Sequence, residues 1–225
     1  MTGGWFVTGT DTGVGKTLVA CTLIQAVAGR GKRVIGMKPV AAGAELRGGH
    51  WRSEDADALA AASKIRAPAD AANPYALRLP VAPHIAAREE GLEIELARLE
   101  HAFARLQSVA DFVVVEGVGG FRVPLNSAMD TADLARTLRL PLVLVVGIRL
   151  GCINHALLTV EAIAARGLRL AGWVANRIDP RMLKAAENVA SLQERIAAPL
   201  LAELPYSERP DPAALAHRLA LDHLF

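Results

Sequence analysis

Apolar residues along this chain gather into short, dense runs. Five of them, at positions 5–7, 33–37, 112–115, 142–146 and 170–175, are built from β-branched, aromatic and other bulky residues with few polar interruptions. A short run without alternation predicts a strand buried on both faces, as in a parallel sheet. Leu200–Leu204 is a sixth, weaker candidate. Longer stretches between the runs predict helices over Lys16–Ala28, 56–65, 93–107, Thr131–Leu138, 154–165 and 181–196. Gly29, Gly31 and Gly167 stand where C-terminal caps belong. Strand and helix therefore alternate, which predicts an α/β fold: a doubly wound, mostly parallel sheet with helices on both faces. No repeat, low-complexity tract or long linker interrupts the pattern, so one domain spanning 1–225 is expected. In such sheets ligands collect beyond the carboxyl ends of the strands.

That edge is where the polar residues of interest fall. Between the first strand and the first helix lies GTDTGVGKT, from Gly9 to Thr17. A glycine-rich turn in that context lets backbone N–H groups converge on a phosphate, aided by the positive end of the helix. Lys16 would reach the β- and γ-phosphates and Thr17 would ligate Mg²⁺. The spacing departs from the common GxxxxGK[ST]: Thr10 occupies the first glycine position, and Gly9 makes the loop one residue longer. Three further strands deliver a polar residue to the same edge, namely Lys38, Glu116 and Asn176. An acidic residue after a neighbouring strand is the metal- or water-positioning group that phosphoryl transfer calls for. Glu116 is followed by Gly117, Val118, Gly119 and Gly120, a second stretch whose backbone can lie close to a ligand. Lys38 is either a surface charge or a second cation beside Lys16, useful where two anionic groups must be brought together.

Composition narrows the classes. With 52% hydrophobic residues and 4% aromatics, the core is made mostly of Ala, Val, Leu and Ile. A net charge of +2 and the lack of a basic tract argue against nucleic acid as the main partner. The longest apolar stretch, 140–148, contains Pro141 and Gly147 and is too short to span a bilayer, so no membrane association is expected. No signal peptide is apparent, and two cysteines, Cys21 and Cys152, show no zinc or CxxC spacing. These features predict a cytoplasmic protein. Cys21 reads as a small core residue, and His101, His217 and His223 as surface or packing residues without zinc spacing.

The residues resemble the dethiobiotin synthetase family. The resemblance rests on FVTGTDTGVGKT (6–17), KPV (38–40), NPY (73–75), PHI (83–85), VEGVGG (115–120), LGCINH (150–155) and AGWVAN (171–176), in that order and spacing. It covers most of the chain and thins toward the C-terminus, apart from Leu204, Pro205 and Tyr206. It implies a P-loop enzyme that uses ATP, Mg²⁺ and CO₂ to close the ureido ring of dethiobiotin on 7,8-diaminononanoate. The implied route runs through a carbamate and a carbamic–phosphoric anhydride. The resemblance further implies catalytic roles for Thr12, Lys16 and Lys38, and Mg²⁺ held by Thr17, Asp55 and Glu116. Implied nucleotide contacts are Gly13, Val14, Gly15, Lys16, Thr17, Leu18, Asp55, Glu116, Gly117, Val118 and Gly119, with Asn176, Arg177, Leu204, Pro205 and Tyr206 toward the adenine. Substrate contacts would come from Thr12, Lys38 and Ala42. In an implied homodimer, Leu150, Gly151, Cys152, Ile153 and Asn154 of the partner would receive the remote carboxylate.

Asn154 is also expected to open its own helix as an N-cap, a residue type favoured there. Two positions differ from, or are ambiguous within, the family pattern. Ala42 stands where the family usually has serine. The stretch from Ser53 to Asp57 holds three carboxylates; counting without gaps selects Asp55, and a two-residue slip selects Asp57. The phosphate loop alone also suits a regulatory ATPase of the plasmid-partitioning or division-site type, or another metabolite ligase or kinase. The regulatory ATPases carry an extra lysine where this chain has Asp11.

Overall fold

The computed structural model describes residues 3–222 and 224, so His223 lies outside the described residues. The strands are β1 (Gly3–Gly9), β2 (Val34–Met37), β3 (Val40–Ala42), β4 (Glu45–Arg47), β5 (His50–Arg52), β6 (Tyr75–Leu77), β7 (Phe112–Glu116), β8 (Leu142–Ile148), β9 (Leu170–Arg177) and β10 (Leu200–Leu204). The helices are α1 (Lys16–Ala28), α2 (Glu54–Ala62), α3 (Ala69–Ala72), α4 (Pro83–Glu89), α5 (Leu96–Gln107), α6 (Thr131–Leu138), α7 (Cys152–Ala165), α8 (Ala185–Arg195) and α9 (Pro212–Leu215). Among the described residues, six strands form one sheet in the order β10-β9-β8-β1-β7-β2, every pairing parallel.

Strand alternation sends neighbouring residues to opposite cores. Trp5 and Val7 pack with Val114, Val143 and Val145 beneath α1 and α2, while Phe6 joins Val113 and Val115 on the face covered by α5 and α6. Leu144, Val146 and Trp173 bury against α7 and α8. Both faces of each central strand are therefore apolar, which is why these strands read as unbroken runs. The chain leaves β1 for β2 at one edge, returns to β7, then proceeds outward through β8, β9 and β10. That reversal puts β1 and its following loop at the centre of the carboxyl edge, flanked by β7 and β8.

Several helix starts differ from expectation, each for a local reason. The predicted 56–65 helix is α2, which begins at Glu54 because the Ser53 side chain accepts the Ala56 N–H at 3.5 Å. The predicted 93–107 helix begins at Leu96. The Tyr75 hydroxyl donates to the Glu93 carbonyl and accepts from the Glu95 N–H, both at 3.1 Å, and holds that entry extended. The predicted 181–196 helix starts at Ala185, since Lys184 adopts a left-handed φ of 59°. Asn154 does not cap α7. The helix opens two residues earlier, on Gly151 with φ 93°, a conformation that glycine adopts without strain. Asn154 instead lies exposed in the first turn.

Two small sheets were absent from the sequence reading. β3 pairs with β6 in parallel, and β4 with β5 as an exposed hairpin. The hairpin turn is Gly48–Gly49, with φ of 60° and 80°. Two adjacent positive φ values are what a tight hairpin turn demands.

Candidate active site

β1, β2, β7 and β9 end on one edge, and their polar residues meet there. The end of β1 and the start of its loop are held from both sides: the Thr10 N–H donates to Val145 of β8 at 3.1 Å, and Val7 of β1 accepts the Gly117 N–H at 2.9 Å. Gly15 precedes α1 with φ 91°, and a β-carbon there would stand 2.1 Å from the Asn176 amide nitrogen. Only glycine satisfies both constraints. Asn176 is buried and donates to the Val14 carbonyl at 2.9 Å, so the end of β9 props the loop.

The centre of the site is a cluster of ions, with Lys38 and Glu116 buried and Asp55 partly exposed at its rim. Lys38 Nζ lies 2.7 Å from Asp55 Oδ2 and 2.7 Å from Glu116 Oε1, with the Gly117 carbonyl at 3.2 Å. The Thr17 hydroxyl sits 2.8 Å from Asp55 Oδ1 and 2.9 Å from Glu116 Oε1. Its single proton can serve only one of them, so the hydroxyl and the two carboxylates crowd together with more acceptors than donors. Glu116 is fully buried, and its Oε2 has no hydrogen-bond partner. The Lys38 backbone is itself fixed: its carbonyl accepts from Asn73 Nδ2 at 2.7 Å and its N–H donates to Ala72 at 2.8 Å. This gives the NPY motif a structural task.

Electrostatics follow from that crowding. Burial favours the neutral form of Lys38, but Glu116 and Asp55 outweigh it and hold its pKa above the ordinary lysine value. Burial would raise the Asp55 pKa; Lys38 and the Thr17 hydroxyl overcome it and lower the pKa. For Glu116 burial dominates and Asp55 adds to it, so its pKa is raised despite Lys38. Burial and the neighbouring Lys38 lower Lys16 to about 8, against the pull of Glu116, Asp55 and Asp11. Lys16 Nζ donates to the Asp11 carbonyl at 2.9 Å.

A hydroxyl and two carboxylates, one with an unsatisfied buried oxygen, suit a hard cation that takes its remaining ligands from phosphate and water. Among the described residues, no group of three or more His, Cys, Asp or Glu side chains could hold a metal ion. That is ordinary for Mg²⁺ bound with a nucleotide. Of the two acidic candidates, Asp55 is the one in the cluster. Asp57 is turned to the hairpin, 2.5 Å from Arg52 and 3.7 Å from Arg47.

The remaining candidates lie around this centre. Thr12 is exposed beside Gly119, whose β-carbon position is 3.5 Å from the Thr12 hydroxyl. Gly13 and Leu18 complete the loop and the first turn of α1; Val118 follows Gly117 toward α6. Asn176 and Leu204 are register partners across β9 and β10, with Pro205 and Tyr206 exposed just beyond. Arg177 does not face the loop freely, being paired with Glu203 at 2.5 Å. Ala42 is half-buried at the end of β3. Leu150 is 92% exposed, Gly151 and Asn154 are exposed, Cys152 is buried and Ile153 lies between. The sequence reading passed over Arg149, whose guanidinium lies 2.5 Å from Asp11. The rule that found Lys38 and Glu116 stops at Gly147 when applied to the predicted run 142–146; Arg149 comes into view because β8 extends to Ile148.

Comparison with known proteins adds identity to this geometry. A family model described as an AAA domain matches residues 4–214. The chain is 61% identical over 217 residues to the ATP-dependent dethiobiotin synthetase BioD of Aromatoleum aromaticum, covering 96% of each chain. It is 52% identical over 217 residues to the protein of the same name from Xanthomonas euvesicatoria, covering 96% of this chain and 97% of that one. Among solved structures, the septum site-determining protein MinD of Pyrococcus horikoshii, complexed with Mg-ADP, superimposes with a TM-score of 0.55. It is 18% identical, with 92% of this chain and 82% of that one covered. At that identity the likeness shows the fold alone.

Proposed function

This chain belongs to the dethiobiotin synthetase family, and we propose from its site how it carries out that family's ATP-dependent reaction. The substrate is 7,8-diaminononanoate. CO₂ adds to one amine with loss of a proton, giving a carbamate. The carbamate oxygen attacks the γ-phosphorus of ATP and ADP departs. The second amine then attacks the activated carbonyl and loses a proton, phosphate leaves, and the ureido ring closes.

The observation that carries this reading is the Lys38, Asp55, Glu116 and Thr17 cluster beside Lys16. Carbamate and triphosphate repel each other, and two fixed cations at the junction reduce that repulsion in the approach and in the transition state. Lys16, released from the Asp11 carbonyl, reaches the transferred phosphoryl group. Lys38, held between two carboxylates, stays charged and faces the carbamate. Thr12, exposed over the loop, contacts the same end of the substrate. Thr17, Asp55 and Glu116 hold Mg²⁺, which supplies charge neutralisation along the phosphate chain. Asn176 has an amide oxygen to offer the adenine amino group, with Leu204, Pro205 and Tyr206 beside the base.

The active unit is a homodimer with composite sites. The substrate's carboxylate lies far from its amines, beyond one crevice. The loop entering α7, residues 150–154, supplies the partner's anion site through the backbone N–H groups of Gly151 and Ile153 and the exposed Asn154 side chain, while the Cys152 N–H is held by the Arg149 carbonyl. Support comes from exposed apolar side chains in that loop, on α7 and just ahead of α8: Leu150 at 92%, Leu158 at 56% and Leu183 at 86%. In this reading the protein works in the cytoplasm, where a small-molecule ligase meets ATP. Among the described residues no helix is long and apolar enough to cross a membrane.

The test is incubation with diaminononanoate, bicarbonate and MgATP, with product identified by mass. Dethiobiotin together with ADP is expected. ADP released without a ring-closed product would overturn the reading.

A further inference from the structure

Asp11 and Arg149 are 138 positions apart in sequence and meet at the site's edge. Every polar group of Asp11 that faces the loop is engaged. Its Oδ1 accepts the Thr12 N–H at 2.7 Å, its Oδ2 meets Arg149 Nη2 at 2.5 Å, and its carbonyl accepts Lys16 Nζ at 2.9 Å. Arg149 is equally committed at its other end. Its carbonyl accepts the Cys152 N–H at 3.0 Å, the bond that shapes the Gly151 turn opening α7. One residue thus holds the phosphate loop by its side chain and the α7 entrance by its backbone.

We propose that the Asp11–Arg149 pair is a positioning device that couples the phosphate loop to the α7 entrance, so that nucleotide in the first alters carboxylate binding at the second. Lys16 must leave the Asp11 carbonyl to reach a phosphate. Asp11 then loses a charged donor and is retained by Thr12 and Arg149 alone, and its shift is carried to the arginine. The arginine's backbone transmits it to residues 150–154. Both side chains are about 40% exposed, at 43% and 44%, and as a bare surface ion pair they would contribute little to stability. Their value lies in the two elements they join. The substrate half of this inference rests on the ligase reading above. In the composite dimer, the pair also links one subunit's nucleotide to the site that subunit completes in its partner.

The experiment uses the full-length protein and compares Arg149→Ala, Asp11→Ala and the double variant. Affinity for diaminononanoate is measured by calorimetry with and without a non-hydrolysable ATP analogue and Mg²⁺. By linkage, the ratio of the two affinities is the coupling between sites. Wild-type protein is expected to bind substrate about tenfold tighter with the analogue, a coupling of typical size. In each single variant the ratio is expected to fall to about 1–2, and the double variant to be no lower than either single one. Arg149→Lys is expected to restore part of it. Thermal midpoints guard against a merely structural effect, since the ratio must fall in variants whose melting is unchanged. An unaltered ratio, additive effects of the two changes, or a loss that tracks melting would overturn the proposal. Wild-type protein that makes no dethiobiotin would instead overturn the ligase reading, so the two failures are distinct.

Discussion

The two ends of the main sheet use the same charged groups in opposite ways. At the amino end, Arg33 precedes β2 and Asp111 precedes β7. Their side chains meet at 2.8 Å while 61% and 39% exposed. Asp111 also accepts the Arg33 N–H at 2.9 Å, so the pair closes the gap where two strands enter the sheet. At the carboxyl end, Lys38 follows β2 and Glu116 ends β7. This second pair joins the same two strands at 2.7 Å but is 3% and 0% exposed. The amino-end pair remains in water and needs little from the protein. The carboxyl-end pair has lost its hydration, leaves Glu116 Oε2 without a donor, and is of a kind that apolar residues replace without loss of stability. Charge kept at such a cost marks chemistry; charge kept in water marks only a joint.

The largest effect is expected of Lys16→Ala at the carboxyl end. Turnover is expected to fall by ~10²–10³ or more, the range for losing a transition-state charge contact, with melting retained. Near-normal rates would remove the phosphate loop from the mechanism. Mixed with an Asn154→Ala chain, itself inactive, Lys16→Ala should regain activity through the one heterodimer site with both parts intact. Subunit exchange without recovery would exclude shared sites.

Glu116→Gln comes next. It is expected to raise the Mg²⁺ concentration needed for half-maximal activity, because a neutral amide is a weaker ligand for a hard cation. It should also lower stability by about 3 kcal/mol, since a buried lysine loses one of two carboxylates. Unchanged Mg²⁺ titration and unchanged denaturant midpoint together would make Glu116 a plain strand end.

A smaller effect concerns protons. Lys16 is held at about 8, below the ordinary lysine value of 10.5. A lysine depressed on folding costs stability while it must remain charged. That cost is complete below about pH 8 and is relieved as pH rises from about 8 toward 10.5. A phosphate beside Lys16 reverses the depression, so nucleotide binding at pH 8 should take up roughly half a proton at this lysine. Calorimetry in buffers of different ionisation enthalpy measures it, with Lys16→Ala as the reference. Equal uptake by both proteins would remove the lysine from the account.

Ala42→Ser tests a departure from the family at the rim of the site. If the hydroxyl meets the substrate amines, KM should fall about fivefold, the worth of one ordinary hydrogen bond. An unchanged KM with the fold intact would make the position silent. The smallest effect is reserved for the amino end. Asp111→Asn is expected to leave turnover unchanged. Arg33 lowers the Asp111 pKa to about 2, so its contribution is present above the unfolded value of 3.8 and is lost as pH falls toward 2. The melting difference between the variant and the parent should therefore shrink across that acid window. A large loss of activity in Asp111→Asn would undo the contrast between the two ends.

Much of this was legible in one dimension, and for a reason. A strand buried on both faces must be apolar throughout, so the central strands announced themselves, and the residue after each one had to fall on the ligand edge. Lys38, Glu116 and Asn176 were found that way. Gly15, Lys16 and Thr17 were found because a phosphate loop needs consecutive residues. The hairpin was missed although Gly48–Gly49 carried its signal, because Glu45–Arg47 and His50–Arg52 are exposed and bury nothing that periodicity could detect. Local order alone thus determined the strand–helix alternation, the loop and the identity of the charges at the edge. Only the tertiary structure decided which charges meet. Asp55 joins Lys38 while Asp57 turns to Arg52, two residues apart on one helix, because helical rotation sends them to different neighbours. Arg149 finds Asp11 because β8 lies beside β1 in the sheet, an adjacency that no spacing along the chain records.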